Sequence, residues 1–190
     1  MCGVFAILNQ ISNKKLVSYE NIYNEFMKGS SRGPEFSTLE NVSIDLKFGF
    51  HRLAINGLDK KSNQPIFFNN ISLICNGEIY NYKEIYKDLK ITPTTKSDCE
   101  VIIHCYLKFG IEYTLQILDG VFSFVLLDNN PENTRIFVAR DPYGVRPLYV
   151  LENKNKQDVI CFASEMKMLC NFIDIFNDDK YDNNYTINQF

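Results

Sequence analysis

A cysteine stands second in the chain, in Met1-Cys2-Gly3-Val4. Removal of Met1 would leave a thiol and a free α-amine on one residue. That amine has an unperturbed pKa of about 7.7–8.0, so near neutral pH it can act as a base. It can take the thiol proton directly or through one water, which activates a nucleophile without a separate histidine. Histidine is scarce here, with only His51 and His104 in the sequence. The competing reading of Cys2 is a small apolar residue that opens a buried strand.

Other residues have types suited to the same chemistry. Asn76-Gly77 follows the apolar run Ile71–Cys75 and can offer a side-chain amide and a backbone N–H to a developing oxyanion. The alternative is a plain Asn-Gly turn at the end of that strand. Phe50-His51-Arg52-Leu53-Ala54-Ile55 sets one guanidinium in an apolar stretch. Its planar fork suits a carboxylate bidentately, or else a structural ion pair. Glu78 and Asp98 are carboxylates that could hold a substrate ammonium, although an acidic residue at a helix start also complements the helix dipole.

The elements that must carry these residues alternate in texture. Gly3–Leu8 reads as a short buried strand. Ser18 caps a helix whose Tyr19, Ile22, Tyr23, Phe26 and Met27 share an apolar face. Val42, Ile44, Leu46 and Phe48 alternate as a half-buried strand, and His51–Ile55 is a second one. Asn81 with Glu84 opens a short helix to Leu89, and Ser97-Asp98-Cys99-Glu100 is a capping box for a helix stopping at Gly110. A further helix covers Ile111–Leu118. Short β runs at Val121–Leu127, Arg135–Ala139, Pro147–Leu151 and Val159–Ala163, separated by turn residues, predict an antiparallel meander. Strands on both sides of a helical middle give an α+β class.

Composition bounds the function classes. The 190 residues are 45% hydrophobic and 23% charged, ordinary for one globular domain. Net charge is −3 with no basic block, which gives no sign of nucleic acid or an anionic membrane as partner. No apolar run approaches a membrane span or a signal peptide, so the chain reads as cytoplasmic and its six cysteines as reduced. None forms a Cys-x-x-Cys pair, and no metal site is expected.

The motifs also occur in an ordered set. Met1-Cys2-Gly3-Val4, Arg32-Gly33-Pro34, His51-Arg52-Leu53-Ala54-Ile55, Gln64-Pro65, Asn76-Gly77-Glu78-Ile79-Tyr80-Asn81-Tyr82, Ser97-Asp98-Cys99-Glu100, Asp119-Gly120-Val121-Phe122, Arg140-Asp141-Pro142-Tyr143-Gly144-Val145-Arg146-Pro147-Leu148-Tyr149 and Ala163-Ser164-Glu165 follow one another in that order. The chain thereby resembles the class II glutamine amidotransferases, most closely the N-terminal glutaminase domain of glutamine-hydrolysing asparagine synthetases. The resemblance implies an N-terminal-nucleophile hydrolase fold, a four-layer α/β/β/α sandwich with two stacked antiparallel sheets. That domain is expected over residues 1–172, with a flexible Asn-rich tail over 173–190. Leu53 favours the asparagine-synthetase branch, since glucosamine-phosphate synthases and amidophosphoribosyltransferases typically carry an aromatic there.

By the same resemblance, Cys2 attacks the side-chain amide of L-glutamine, ammonia leaves, and water cleaves the thioester. Asn76 and Gly77 form the oxyanion hole and Arg52 grips the α-carboxylate. Glu78 and Asp98 hold the α-ammonium, while Leu53, Ala54, Ile55 and Asn56 line the pocket. No cofactor is expected in this domain. ATP and Mg²⁺ belong to a synthetase half whose Ser-Gly-Gly-type pyrophosphate loop this chain cannot present, because none of its nine glycines adjoins another. The expected partners are L-glutamine and a synthetase half, either a further domain of a protein of which this chain is a fragment or a partner acting in trans, with a homodimer left open. Two rival readings stay on the table: a non-catalytic module binding glutamine or a partner, and an amidase for another amide.

Overall fold

In the computed structural model, residues 1–8, 17–153, 158–177 and 184–190 are described. Along the chain they form β1 (Gly3–Leu8), α1 (Tyr19–Met27), β2 (Phe36–Asn41), β3 (Leu46–Arg52), β4 (Ile66–Phe68) and β5 (Ile71–Ile79). There follow α2 (Tyr82–Leu89), α3 (Val101–Ile117), β6 (Gly120–Asp128), β7 (Arg135–Arg140), β8 (Tyr149–Asn153), β9 (Asp158–Ala163), α4 (Cys170–Asn177) and β10 (Tyr185–Gln189). Where the sequence suggested one domain, these elements divide into two compact units. One comprises Met1–Leu53 with Pro147–Phe190, the other Ala54–Arg146.

The first unit is built on an antiparallel sheet ordered β10-β8-β9-β1-β3-β2. Phe5 and Ile7 of β1 pack with Ile22 and Phe26 of α1 and Phe172 of α4, all fully or almost fully buried. Burying each such side chain contributes about 1.5–3 kcal/mol. Ser18 caps α1 as expected, its Oγ accepting from the Asn21 N–H at 3.2 Å. The apolar face of α1 is narrower than its sequence implied, because Tyr19 and Tyr23 are exposed while Ile22 and Phe26 reach the core.

The second unit has an antiparallel sheet ordered β4-β5-β6-β7, covered on one face by α2 and α3. Leu73 and Cys75 of β5, Phe122, Phe124 and Leu126 of β6, and Ile85, Ile102 and Ile103 of the helices make its core. Because side chains alternate along a strand, Asn76 and its cross-strand neighbour Ser123 lie on the face away from these helices. The predicted stop at Gly110 is real. With φ of 77° it breaks α3, and Ile111 onward continues helical.

Several sequence expectations are corrected. Val42 to Phe48 is not one strand: Val42 and Ser43 N–H groups both donate to the Leu46 carbonyl, reversing the chain between β2 and β3. Ile44 therefore sits at the tip, 96% exposed, and its alternation with Leu46 was coincidental. His51 and Arg52 end β3 instead of starting a strand to Ile55. Asn81 stands at the N-cap of α2 as expected, but its side chain does not cap the helix; the amide is spent on the Ile117 carbonyl and the Asp119 N–H. The meander is split, since β6 and β7 join the second unit's sheet and β8 and β9 the first's. The tail is not wholly loose, for Cys170–Asn177 is helical and Tyr185–Gln189 pairs with β8. Residues 178–183 of that tail lie outside the described residues.

Candidate active site

In the first unit, Cys2 is held by Leu53 and Arg32. Its Sγ donates to the Leu53 carbonyl at 3.3 Å, and the Leu53 N–H donates back at 3.4 Å. Arg32 Nε donates to the Cys2 carbonyl at 2.8 Å, and Arg32 Nη1 lies 3.4 Å from Glu165 Oε1. Val4, two residues further along β1, is fixed by Ser164, whose Oγ accepts from the Val4 N–H and whose own N–H donates to the Val4 carbonyl. Cys2 thus sits at the entry of the central strand with its carbonyl and sulfur both engaged. Reading residue types alone assigned no role to Arg32, Ser164 or Glu165; their presence in the ordered motifs was the only signal.

Arg52 ends β3 and is 7% exposed. Gly33 lets the preceding turn lie against it: a Cβ at Gly33 would come within 2.4 Å of the Arg52 backbone nitrogen. His51 is used by the fold. Its Nε2 meets the Phe26 carbonyl at 2.8 Å, its Nδ1 meets Ser37 Oγ at 2.7 Å, and burial lowers its affinity for a proton. His104 is likewise committed, 3.0 Å from Glu100. Both histidines thus have structural partners, which agrees with a nucleophile that relies on another base.

In the second unit, Asn76 and Gly77 lie inside β5 and not in a turn at its end. The Phe122 carbonyl accepts from Asp141 N–H and the Phe122 N–H donates to Asp141 Oδ2, so the backbone of Phe122 faces β7. Its partner Gly77 then turns its own N–H away from β6, to the opposite edge of β5. β4 covers that edge only as far as Ile66↔Leu73. The edge is completed by side chains: Gln64 pairs with Cys75, Cys99 Sγ reaches the Gly77 carbonyl at 4.0 Å, and Asp98 Oδ2 accepts from Ile79 N–H at 2.7 Å. Gly77 has to be glycine, since a Cβ would come within 2.5 Å of the Val121 carbonyl oxygen.

Two polar atoms stand out on the face away from the helices. Asn76 Nδ2 and Ser123 Oγ, on directly opposed residues, are buried and find no hydrogen-bond partner among the described residues. A buried donor left unsatisfied costs about 1–3 kcal/mol, so such atoms call for a reason outside stability. Ser123 was not singled out from sequence, because a serine in an apolar strand carries no signal by itself.

Asp98, Glu78 and Asn56 meet in the same unit. Asp98 is 4% exposed, and burial raises its proton affinity above that of an ordinary carboxylate. Hydrogen bonds from Ile79 and Asn56 oppose that shift, while the charge of Glu78 adds to it. A cation placed there would relieve both the burial and the repulsion. Ala54 is half-buried, and Ile55 is 61% exposed on the loop after β3. Asp141, read from sequence as a structural turn, is one: its carboxylate accepts from the N–H groups of Phe122, Tyr143, Val145 and Arg146.

Comparison with known proteins decides the family. A family model described as a glutamine amidotransferase domain matches residues 1–187. The chain belongs to that family. Within the glutamine amidotransferases it is similar to glutamine-hydrolysing asparagine synthetases. It is 39% identical to that of Bos taurus and 40% identical to that of Gallus gallus, each over 90% of this chain and 30% of the relative. A probable asparagine synthetase of Acanthamoeba polyphaga mimivirus is 37% identical over 89% of the chain and 30% of its own length. The chain therefore spans about a third of the curated relatives it matches. Among solved structures, the glutamine phosphoribosylpyrophosphate amidotransferase of B. subtilis shares the fold, with a TM-score of 0.70 at 22% identity over 89% of this chain and 43% of the other. This glutamine amidotransferase domain has two antiparallel sheets with flanking helices, the α+β class expected from its sequence. No helix among its described residues is long and apolar enough to cross a membrane.

Proposed function

We propose that this chain hydrolyses L-glutamine to L-glutamate and ammonia through a thioester on Cys2, after removal of Met1. Sγ adds to the side-chain amide carbon, and the carbonyl electron pair moves to oxygen. Asn76 Nδ2 and the Gly77 N–H donate to that oxyanion. The α-amine of Cys2, having taken the thiol proton, passes it to the departing nitrogen, the C–N bond breaks, and ammonia leaves. Water adds to the thioester with the amine as base, and collapse restores the thiol and releases glutamate. Arg52 takes the α-carboxylate and Asp98 with Glu78 the α-ammonium, while Leu53, Ala54, Ile55 and Asn56 line the pocket. All of these groups belong to the chain itself, and no cofactor enters the reaction.

The observation that carries this reading is the buried Asn76 Nδ2, without an acceptor among the described residues, beside a glycine N–H that points away from β6. The ammonia acceptor lies with a synthetase domain or partner of the kind named in the asparagine-synthetase relatives, for which ATP and Mg²⁺ would be needed. We propose a cytoplasmic location, a reducing compartment that suits the six cysteines, all free in the structure. The test is intact mass before and after incubation with a glutamine-mimicking diazoketone, with Cys2→Ala as control. Loss of Met1 and one adduct that the control lacks is expected. Retained Met1, or no adduct while glutamine still binds, sinks the proposal and leaves a glutamine-binding module.

A further inference from the structure

We propose that Gln64 is a positioning residue for the oxyanion donors, an inference that rests on the glutaminase reading above. The β4–β5 ladder pairs Phe68 with Ile71 and Ile66 with Leu73. The same two-residue step would bring position 64 opposite Cys75, whose N–H and carbonyl both face that edge. There the strand backbone hands over to a side chain. Gln64 Nε2 donates to the Cys75 carbonyl at 3.0 Å, and its Oε1 accepts from the Cys75 N–H at 2.5 Å. Gln64 is 6% exposed, so the amide makes both bonds away from solvent.

What this clamp fixes is the peptide plane that joins Cys75 to Asn76. The carbonyl that Gln64 holds and the nitrogen of Asn76 belong to one rigid plane. The same plane contains the Asn76 Cα, which carries the amide, and the Gly77 N–H follows one residue further along that edge. On the β6 side, Asn76 is held by its backbone pairing with Ser123. Among the described residues, the tie on the other side of β5 that follows Gln64 is Cys99 on the Gly77 carbonyl, so Gln64 holds the Cys75 end of this stretch. Donors aimed at a developing charge must be pre-set, so a loosened plane lowers turnover more than ground-state binding.

The primary amide is suited to the task because it presents one donor and one acceptor side by side. A protonated carboxyl group does the same, and a carboxylate offers acceptors alone. The test therefore compares Gln64→Ala and Gln64→Glu in the full chain. In Gln64→Ala, kcat for glutamate release falls about 10–100-fold with KM for glutamine within about twofold, and exchange of the Cys75 amide hydrogen accelerates about tenfold or more. In Gln64→Glu, the ratio of its kcat to that of the unsubstituted chain rises as pH is lowered from about 8.5 to 6, which Gln64→Ala does not do. The charged groups nearby, Asp59 and Lys96 by the same loop and Glu78 and Asp98 beyond it, are present in every variant, and taking the ratio removes their effect.

Should Gln64→Ala fail to fold, the pH ratio of Gln64→Glu decides alone. Activity retained within about threefold, KM rising in step with the loss, or a pH-independent Gln64→Glu defect overturns the inference. An unsubstituted chain that releases no glutamate refutes the glutaminase reading and this inference with it. That failure is recognised because it precedes any substitution.

Discussion

Asn76→Ala separates stability from catalysis. The side chain is 2% exposed, and its Nδ2 meets no acceptor among the described residues. Leaving such a donor buried costs about 1–3 kcal/mol, which truncation to alanine removes. Truncation also forfeits the packing of three heavy atoms, about 1–3 kcal/mol by comparison with large-to-small core changes. The two offset each other, so net stability changes by about 1 kcal/mol or less, and Tm shifts by about 4 °C or less for a chain of this size. Catalysis has no such offset, because losing one oxyanion donor costs about 2.7–4 kcal/mol of transition-state stabilisation, or 10²–10³ in kcat. Thermal unfolding and steady-state glutamate release on the same preparation check both. A Tm drop of about 8 °C or more would mean that the amide is structurally bonded, and kcat within about threefold would mean that it faces no oxyanion. Either result refutes the reasoning.

Asp98→Asn is expected to raise the KM for glutamine about 30-fold or more, with a smaller effect on kcat, because it removes a buried charge from the proposed ammonium subsite. The folded pKa of Asp98 is raised, so its ionisation costs the unliganded fold stability as pH climbs through that pKa. Asp98→Asn therefore stabilises the free chain at neutral pH and ceases to do so below the ordinary carboxylate range, which urea unfolding across pH reads out. Asp141→Ala removes the acceptor of four backbone N–H groups, the buried Phe122 N–H among them. It should cost about 2–4 kcal/mol, a Tm loss of roughly 4–16 °C. For Asp141, burial opposes ionisation but the hydrogen bonds outweigh it and hold the pKa down. Its contribution is thus present above the ordinary carboxylate range and is lost as pH falls through the lowered value. A difference between Asp141→Ala and the unsubstituted chain that persisted undiminished at about pH 2 would count against that account.

The candidate site could be nominated from the sequence because it depends on residue type and order. A thiol next to the chain start, one guanidinium in an apolar strand and an Asn-Gly pair suggest an amide-cleaving set before any fold is known, and their place in the ordered motifs points to the family. Local rules also succeeded where the signal was local, as at the Ser18 cap and the Gly110 break. They failed where a distant partner decided the outcome. Alternation across Val42–Phe48 ignored two N–H groups turning back on Leu46, and the Asn-Gly turn signal at residue 76 was overridden by pairing with β6 along the whole of β5. Which strands share a sheet could not be read from the even run of β segments after Val121, because antiparallel neighbours are chosen by burial across the chain and not by order. Above all, tertiary structure decided the direction of each polar group. Sequence could nominate Asn76, Gly77 and Asp98. Only pairing geometry leaves the Asn76 Nδ2 without a partner among the described residues, turns the Gly77 N–H away from its paired strand and buries the Asp98 carboxylate, since a hydrogen bond depends on where its partner lies and not on what precedes it in the chain.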